Sequence, residues 1–227
     1  MIHISETLAL HTTEGFLTDS ELTQLRKIMH ATLDETGWQP RHQAEILLAP
    51  VAAQDILQDA TRRALPAIRR TMPSISAAAP WAYTELTAGQ EVPTHLDGIP
   101  DPGTAPRRLG RIGVVLDDAE AGGDFYIETT SSPGIWTGEE VGEGEGFMPS
   151  TPLTHRLPHA SEPGAPRHAS APTWLEGARR TRWTTDARAG TAVAYGSQVI
   201  HGVSPVRAGR LRKFVTDLLD EAIPALP

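Results

Sequence analysis

Three observations predict an α+β, mainly β fold: helical periodicity confined to the first third of the chain, short strand-like runs from Trp81 onward, and 19 prolines and 20 glycines that punctuate the rest. Helices first and strands after imply helices packed on one face of a sheet. A length of 227 residues suits one domain with a substantial core, and no repeat or linker divides it. We read residues 1–227 as that single domain, with a helical part over about 16–71, a β core over about 81–219 and a long insertion over about 129–185.

The first helix is predicted over 18–36. Thr18 and Glu21 stand at capping-box spacing, and Leu22, Leu25, Ile28, Met29, Thr32 and Leu33 form one stripe. A second helix is predicted from about 52 to 71 on Ile56, Leu57, Ala60, Ala64, Leu65 and Ile68, with Pro66 expected to kink or divide it. Strands follow at 82–86, 111–116, 124–128, 190–195 and 212–219, each a short apolar or alternating run between turn formers. The stretch 129–185 is rich in Pro, Gly, Ser, Thr and His and has little periodicity, so it is expected to be a loop insertion.

Composition narrows the function. Twenty Lys and Arg against 28 Asp and Glu leave a formal charge of -8, which disfavours nucleic acid as the partner and suits small-molecule work. Without cysteine there is no disulfide, zinc-thiolate site or iron–sulfur cluster. No basic segment leads into an apolar run at the start, and no stretch approaches membrane-spanning length, so a cytoplasmic protein without membrane partners is expected.

The chemistry is concentrated in two segments. In Val92-Pro93-Thr94-His95-Leu96-Asp97-Gly98, an imidazole and a carboxylate stand two positions apart, so extended backbone turns both to one side. Val199-Ile200-His201-Gly202-Val203 offers a second imidazole at the end of an apolar run. Two histidines and a carboxylate on one face of an octahedral metal leave positions open, as iron(II) needs if it is to bind a cosubstrate and oxygen. A His-x-Asp by itself is a weak signal, and its flanks carry the weight.

Those flanks resemble the double-stranded β-helix family of iron(II) and 2-oxoglutarate dioxygenases, in particular its prolyl-hydroxylase-like branch. Gly15-Phe16-Leu17-Thr18-Asp19-Ser20-Glu21-Leu22 looks like the family's entry into its first helix, and Gly89-Gln90-Glu91-Val92-Pro93-Thr94-His95-Leu96-Asp97 like its approach to the His-x-Asp. Val114-Val115-Leu116-Asp117-Asp118-Ala119-Glu120-Ala121-Gly122-Gly123-Asp124-Phe125 is similar to its strand, acidic turn and Gly-Gly pair. Ala189-Gly190-Thr191-Ala192-Val193-Ala194-Tyr195, leading into His201-Gly202-Val203-Ser204-Pro205-Val206, is similar to its distal-histidine motif.

The resemblance implies a jelly roll with His95, Asp97 and His201 holding Fe(II) near its mouth, 2-oxoglutarate as cosubstrate and O2 as oxidant. It also implies a basic side chain beyond the distal histidine for the far carboxylate of 2-oxoglutarate, a task that a guanidinium fork suits. The family usually sets it one or two positions after a glycine such as Gly209; here Arg210 is one position beyond, Leu211 holds the second, and Arg212 is three beyond. Arg212 is favoured, as the start of an alternating series with Phe214, Thr216 and Leu218 that could line the barrel. Arg210, of the same parity, is its rival, and Lys213 is read as a solvated strand end. Tyr83 is a further cosubstrate candidate, although a core tyrosine with its hydroxyl at the rim accounts for it better. The Gly122-Gly123 pair is read as turn geometry. His155, His159 and His168 are read as surface histidines.

The reaction implied is oxidative decarboxylation of 2-oxoglutarate to succinate coupled to hydroxylation of an unactivated carbon. Retention of Asp97 disfavours halogenation and leaves desaturation, epoxidation and ring formation open. The insertion, with Trp136, Phe147, Trp174 and Arg156, Arg167, Arg179, Arg180 and Arg182, is expected to act as a lid and to select a small acidic or amino-acid-like metabolite. The alternatives are a hydroxylase of a protein or peptide residue and a jelly-roll binding protein without turnover.

Overall fold

Helix α1 (Ile4–Thr7), strand β1 (Leu10–Thr13) and helix α2 (Asp19–Thr36) open the chain in this computed structural model, which describes residues 1–40, 45–157 and 172–222. The expected capping box of α2 is present: the Glu21 amide donates to the Thr18 hydroxyl, and the Thr18 amide donates to the Glu21 carboxylate. Gly37, at φ 61°, ends the helix in the left-handed conformation that glycine adopts without steric penalty.

Strand β2 (Ile46–Leu48) then leads into α3 (Val51–Ile68). The expected break at Pro66 does not occur. The proline falls in the last turn, where the helix is about to stop and little remains to be disrupted.

Next come β3 (Ala77–Ala78), β4 (Ala82–Thr87), β5 (Val92–His95), β6 (Arg108–Asp117), β7 (Ala121–Gly122) and β8 (Phe125–Thr130). The insertion contributes β9 (Trp136–Val141), β10 (Thr151–Thr154), α4 (Thr173–Glu176) and β11 (Arg180–Thr184). The chain closes with β12 (Ala192–Gly196), β13 (Ile200–Val203), β14 (Val206–Ala208) and β15 (Arg210–Leu219).

The larger sheet has the order β1-β12-β6-β15-β4-β2 and the smaller β11-β8-β13-β5, with antiparallel neighbours throughout. Four core strands of the larger sheet, β4, β6, β12 and β15, face four of the smaller, β5, β8, β11 and β13. The chain passes repeatedly from one to the other, which makes the architecture a double-stranded β-helix, the jelly roll expected.

Period-two alternation gives the larger sheet two different faces. On one, Tyr83, Ile112, Val114, Leu116, Phe214 and Leu218 pack with Leu25, Met29, Leu57 and Ile68 of the two long helices in the main core. On the other, Ala82, Thr84, Arg111, Tyr195, Lys213 and Asp217 line a cavity between the sheets. Leu86, Val92, Val203, Val206 and Leu211 form an apolar plug between the sheets. At the turn beside it, Gly122 has φ 71°, and a Cβ there would collide with the Pro205 carbonyl.

The insertion is not the unstructured loop expected. β9 and β10 pair as a hairpin, and β11 adds to the edge of the smaller sheet against β8. Phe147 is fully buried in the main core, while Ile135 and Leu175 pack with Leu96 and Ile200. The strands went unseen because their faces carry no apolar alternation: all five residues of β11 are exposed, as are the middle four of β9. Residues 158–171, with His159, His168 and Arg167, lie outside the described residues. Among the described residues, no helix is long and apolar enough to cross a membrane.

Candidate metal centre

His95 is the last residue of β5, and His201 lies directly opposite it on β13, so antiparallel pairing brings the two rings to 4.0 Å between centroids. Asp97, two positions on, closes the group. Its Oδ1 is 4.0 Å from His95 Nε2, and its Oδ2 is 3.9 Å from His201 Nε2. One ligand atom from each residue falls within 4.8 Å of the others, and all three residues are buried.

Both imidazoles are oriented by their own strands. His95 Nδ1 is 3.0 Å from the Pro93 carbonyl and His201 Nδ1 is 2.9 Å from that of Val199. With Nδ1–H donating, each Nε2 keeps its lone pair for the centre of the group. Asp97 Oδ1 and Oδ2 and His201 Nε2 have no hydrogen-bond partner and are inaccessible to solvent. Buried polar atoms are rarely left so, and a dication at their common centre would satisfy all three at once.

Electrostatics favour the same protonation states that a metal requires. Burial lowers His95, and burial together with the neighbouring His95 ring holds His201 well below the ordinary histidine value, so both rings are neutral. Burial alone would raise the Asp97 carboxyl, but the positive charge of Arg111 leads the neighbours that hold it below the usual carboxylate range. The residues present thus fit a divalent metal: neutral imidazoles and an ionised carboxylate, on one side of a cavity.

That cavity, of about 160 Å³, is lined by both histidines together with Arg111, Phe125, Tyr195, Lys213 and Asp217 among others. Arg111 Nε bonds Asp217 Oδ1 at 2.7 Å, and its Nη1 lies 3.8 Å from Asp97 Oδ1. Lys213 is half-buried, and burial and the positive charge of Arg111 push its ammonium down to about 8.

Arg212, Arg210 and Tyr83 are not in this cavity. They lie on the helix side of the larger sheet, around the buried Glu85: Arg210 Nη1 to Oε1 at 2.6 Å, Arg212 Nε to Oε2 at 3.3 Å, and the Tyr83 hydroxyl to Oε2 at 2.7 Å. Arg212 also reaches Asp117 at 3.4 Å. The reason is parity. Arg212 pairs with Glu85 and Lys213 with Thr84, and a one-residue step on a strand exchanges faces. Lys213, read from the sequence as a solvated strand end, instead lines the cavity. The available signal was Phe214 and Leu218, whose size marks the core face and assigns Arg212 to it.

His155 stacks on Trp174 with ring centroids 5.1 Å apart, and among the described residues the only triplet placed to hold a metal is His95, Asp97 and His201. No protein-family profile and no curated protein matches the chain. Solved structures do. A prolyl-4-hydroxylase from Pseudomonas putida superposes with a TM-score of 0.55 at 14% identity, covering 93% of each chain. The viral collagen prolyl hydroxylase of Paramecium Bursaria Chlorella virus-1, solved as a 2OG complex, gives 0.51 at 15% identity over 95% of this chain and 96% of that one. The epimerase SnoN, solved with Fe3+, alpha ketoglutarate and nogalamycin RO, gives 0.57 at 14% over 93% of this chain and 79% of its own. By fold, then, the chain stands with double-stranded β-helix proteins that include prolyl hydroxylases, the epimerase SnoN and the non-heme alpha ketoglutarate dependent carbocyclase SnoK.

Proposed function

We propose that the chain is a non-haem iron(II) and 2-oxoglutarate-dependent oxygenase that hydroxylates an unactivated carbon of a small molecule. The observation that carries this reading is the buried His95, Asp97 and His201 group, in which both Asp97 carboxylate oxygens and His201 Nε2 have no hydrogen-bond partner. Iron, when bound, would couple decarboxylation of 2-oxoglutarate by O2 to oxidation of the substrate, yielding succinate and carbon dioxide.

The chain's own residues do the positioning. His95, Asp97 and His201 would hold the metal through two imidazole nitrogens and a carboxylate oxygen. Lys213 points into the same cavity from β15 and supplies the positive charge for the far carboxylate of 2-oxoglutarate, the task first expected of Arg212 or Arg210. The apolar plug of Leu86, Val92, Val203 and Leu211 packs between the same two sheets, where it limits water and strengthens the ion pair. Three of the insertion's arginines, from which an acidic or amino-acid-like substrate was expected, already have partners in the protein. Arg180 and Arg182 are paired with Glu128 at 2.6 and 2.8 Å, and Arg156 donates to the Asp97 carbonyl.

The test is substitution of each ligand in turn. His95→Ala, Asp97→Ala and His201→Ala are expected to abolish both Mn(II) binding under nitrogen and succinate formation with Fe(II), O2 and ascorbate, while His155→Ala retains both. Full turnover by His201→Ala would sink the assignment.

A further inference from the structure

The cavity lined by His95 and His201 continues to the edge of the larger sheet. Its wall on that side is made by Ala79, Pro80, Ala82 and Val215, and it reaches Ile46 of β2. β2 pairs with β4 so that Ile46 is opposite Thr84 and Leu48 opposite Ala82. Cross-strand partners project to the same face, which puts both apolar side chains on the cavity side. Leu47, opposite Tyr83, packs instead against the helix-side core. Ile46 is 48% exposed and Leu48 66%. An edge strand that turns large apolar side chains to solvent beside a cavity marks a contact surface, because exposed edges are otherwise guarded by charge or proline.

The polar groups along this wall are already used. The Thr216 hydroxyl donates to the Ala79 and Pro80 carbonyls at 2.7 and 3.2 Å, and the Thr84 hydroxyl donates to the Glu45 carbonyl at 3.0 Å. Arg111 and Asp217 are paired with each other. With Lys213 assigned to the cosubstrate, the wall offers a second molecule hydrocarbon surface and little else.

We propose that the wall from Val215 and Ala82 out to Ile46 and Leu48 receives the apolar body of the substrate. The substrate is thus a lipophilic molecule, with an alkyl chain or alicyclic framework, and not a free amino acid or a small diacid. The proposal rests on the oxygenase reading and narrows its substrate class. The chemistry asked of the wall is burial of CH₂ groups, which needs no directional partner.

The experiment uses the full chain, loaded with Mn(II) and 2-oxoglutarate under nitrogen and also metal-free, titrated calorimetrically with straight-chain alcohols from butanol to decanol. Affinity is expected to rise with chain length, approaching roughly four-fold per methylene. Ile46→Ser and Leu48→Ser are expected to flatten that dependence. Val51→Ser, at a position 78% exposed and away from the cavity lining, is expected to preserve it. All three are surface changes, so circular dichroism of each variant should match the parent. An unchanged chain-length dependence in the Ile46→Ser, Leu48→Ser double variant overturns the proposal, as does binding of glutamate or lysine in the cavity with no binding of any alcohol. Chain-length-dependent binding by a protein that takes up neither Mn(II) nor 2-oxoglutarate overturns the oxygenase reading and upholds the apolar site.

Discussion

Lys213 shows how much one side chain's direction decides. If it holds the far carboxylate of 2-oxoglutarate, Lys213→Ala removes a charge-assisted hydrogen bond and raises KM for 2-oxoglutarate about ten-fold or more, while Arg212→Ala leaves it unchanged. The pH dependence follows from the ammonium form. Burial and Arg111 bring Lys213 to about 8, so the binding form is full below that value and is lost above it. KM for 2-oxoglutarate is therefore expected to rise as pH increases through about 8, and Lys213→Arg to move that rise to higher pH. At this scale the triad was legible, because a two-residue step in extended chain aims His95 and Asp97 to one side and an apolar run announces the strand that brings His201 opposite. Lys213 was not, since choosing between neighbours on a strand requires knowing which face meets the helices, and three adjacent basic or apolar positions leave that to tertiary packing.

Strand β15 with its partner β4 carries the second lesson. Arg210 and Arg212 surround Glu85, which is 2% exposed, and Tyr83 completes the network. Removing both arginines leaves a buried carboxylate with only a phenol for company. The Arg210→Ala, Arg212→Ala double variant is expected to lose about 3 kcal/mol of stability in urea unfolding, with KM for 2-oxoglutarate unaltered. A raised KM there would mean that the face assignment of β15 is wrong. Elements were legible in the sequence in proportion to their length and to the contrast between their faces. α2 and the long strands β6 and β15 show clear periods, whereas β1 and β2 are edge strands of four and three residues whose pattern is too short to register.

Across the molecule, the insertion acts as a staple. It threads Phe147 into the main core beside Ile2, whose backbone bonds to Gly146 and Met148, and it covers the outer side of the smaller sheet with Ile135 and Leu175. Phe147→Ala is expected to cost about 3 to 5 kcal/mol, measured by denaturant unfolding. Shortening the chain between Ser131 and Pro172 would remove Ile135 and Phe147 and is expected to lower the stability of the whole protein. The fold class was legible from the order of helices and strands. The insertion's role was not, because its anchoring depends on single apolar residues set in Gly- and Pro-rich sequence.

Both ligand histidines are tethered to carbonyls two residues behind them, on strands whose pairing does not involve a metal. Loading is therefore expected to require little reorganisation, because both rings are already oriented by the backbone. Chelation should accordingly yield an apoprotein with an unchanged circular dichroism spectrum, stabilised by added Mn(II) only through mass action. Should the group hold iron as proposed, its occupancy is expected to follow the free metal concentration of its surroundings.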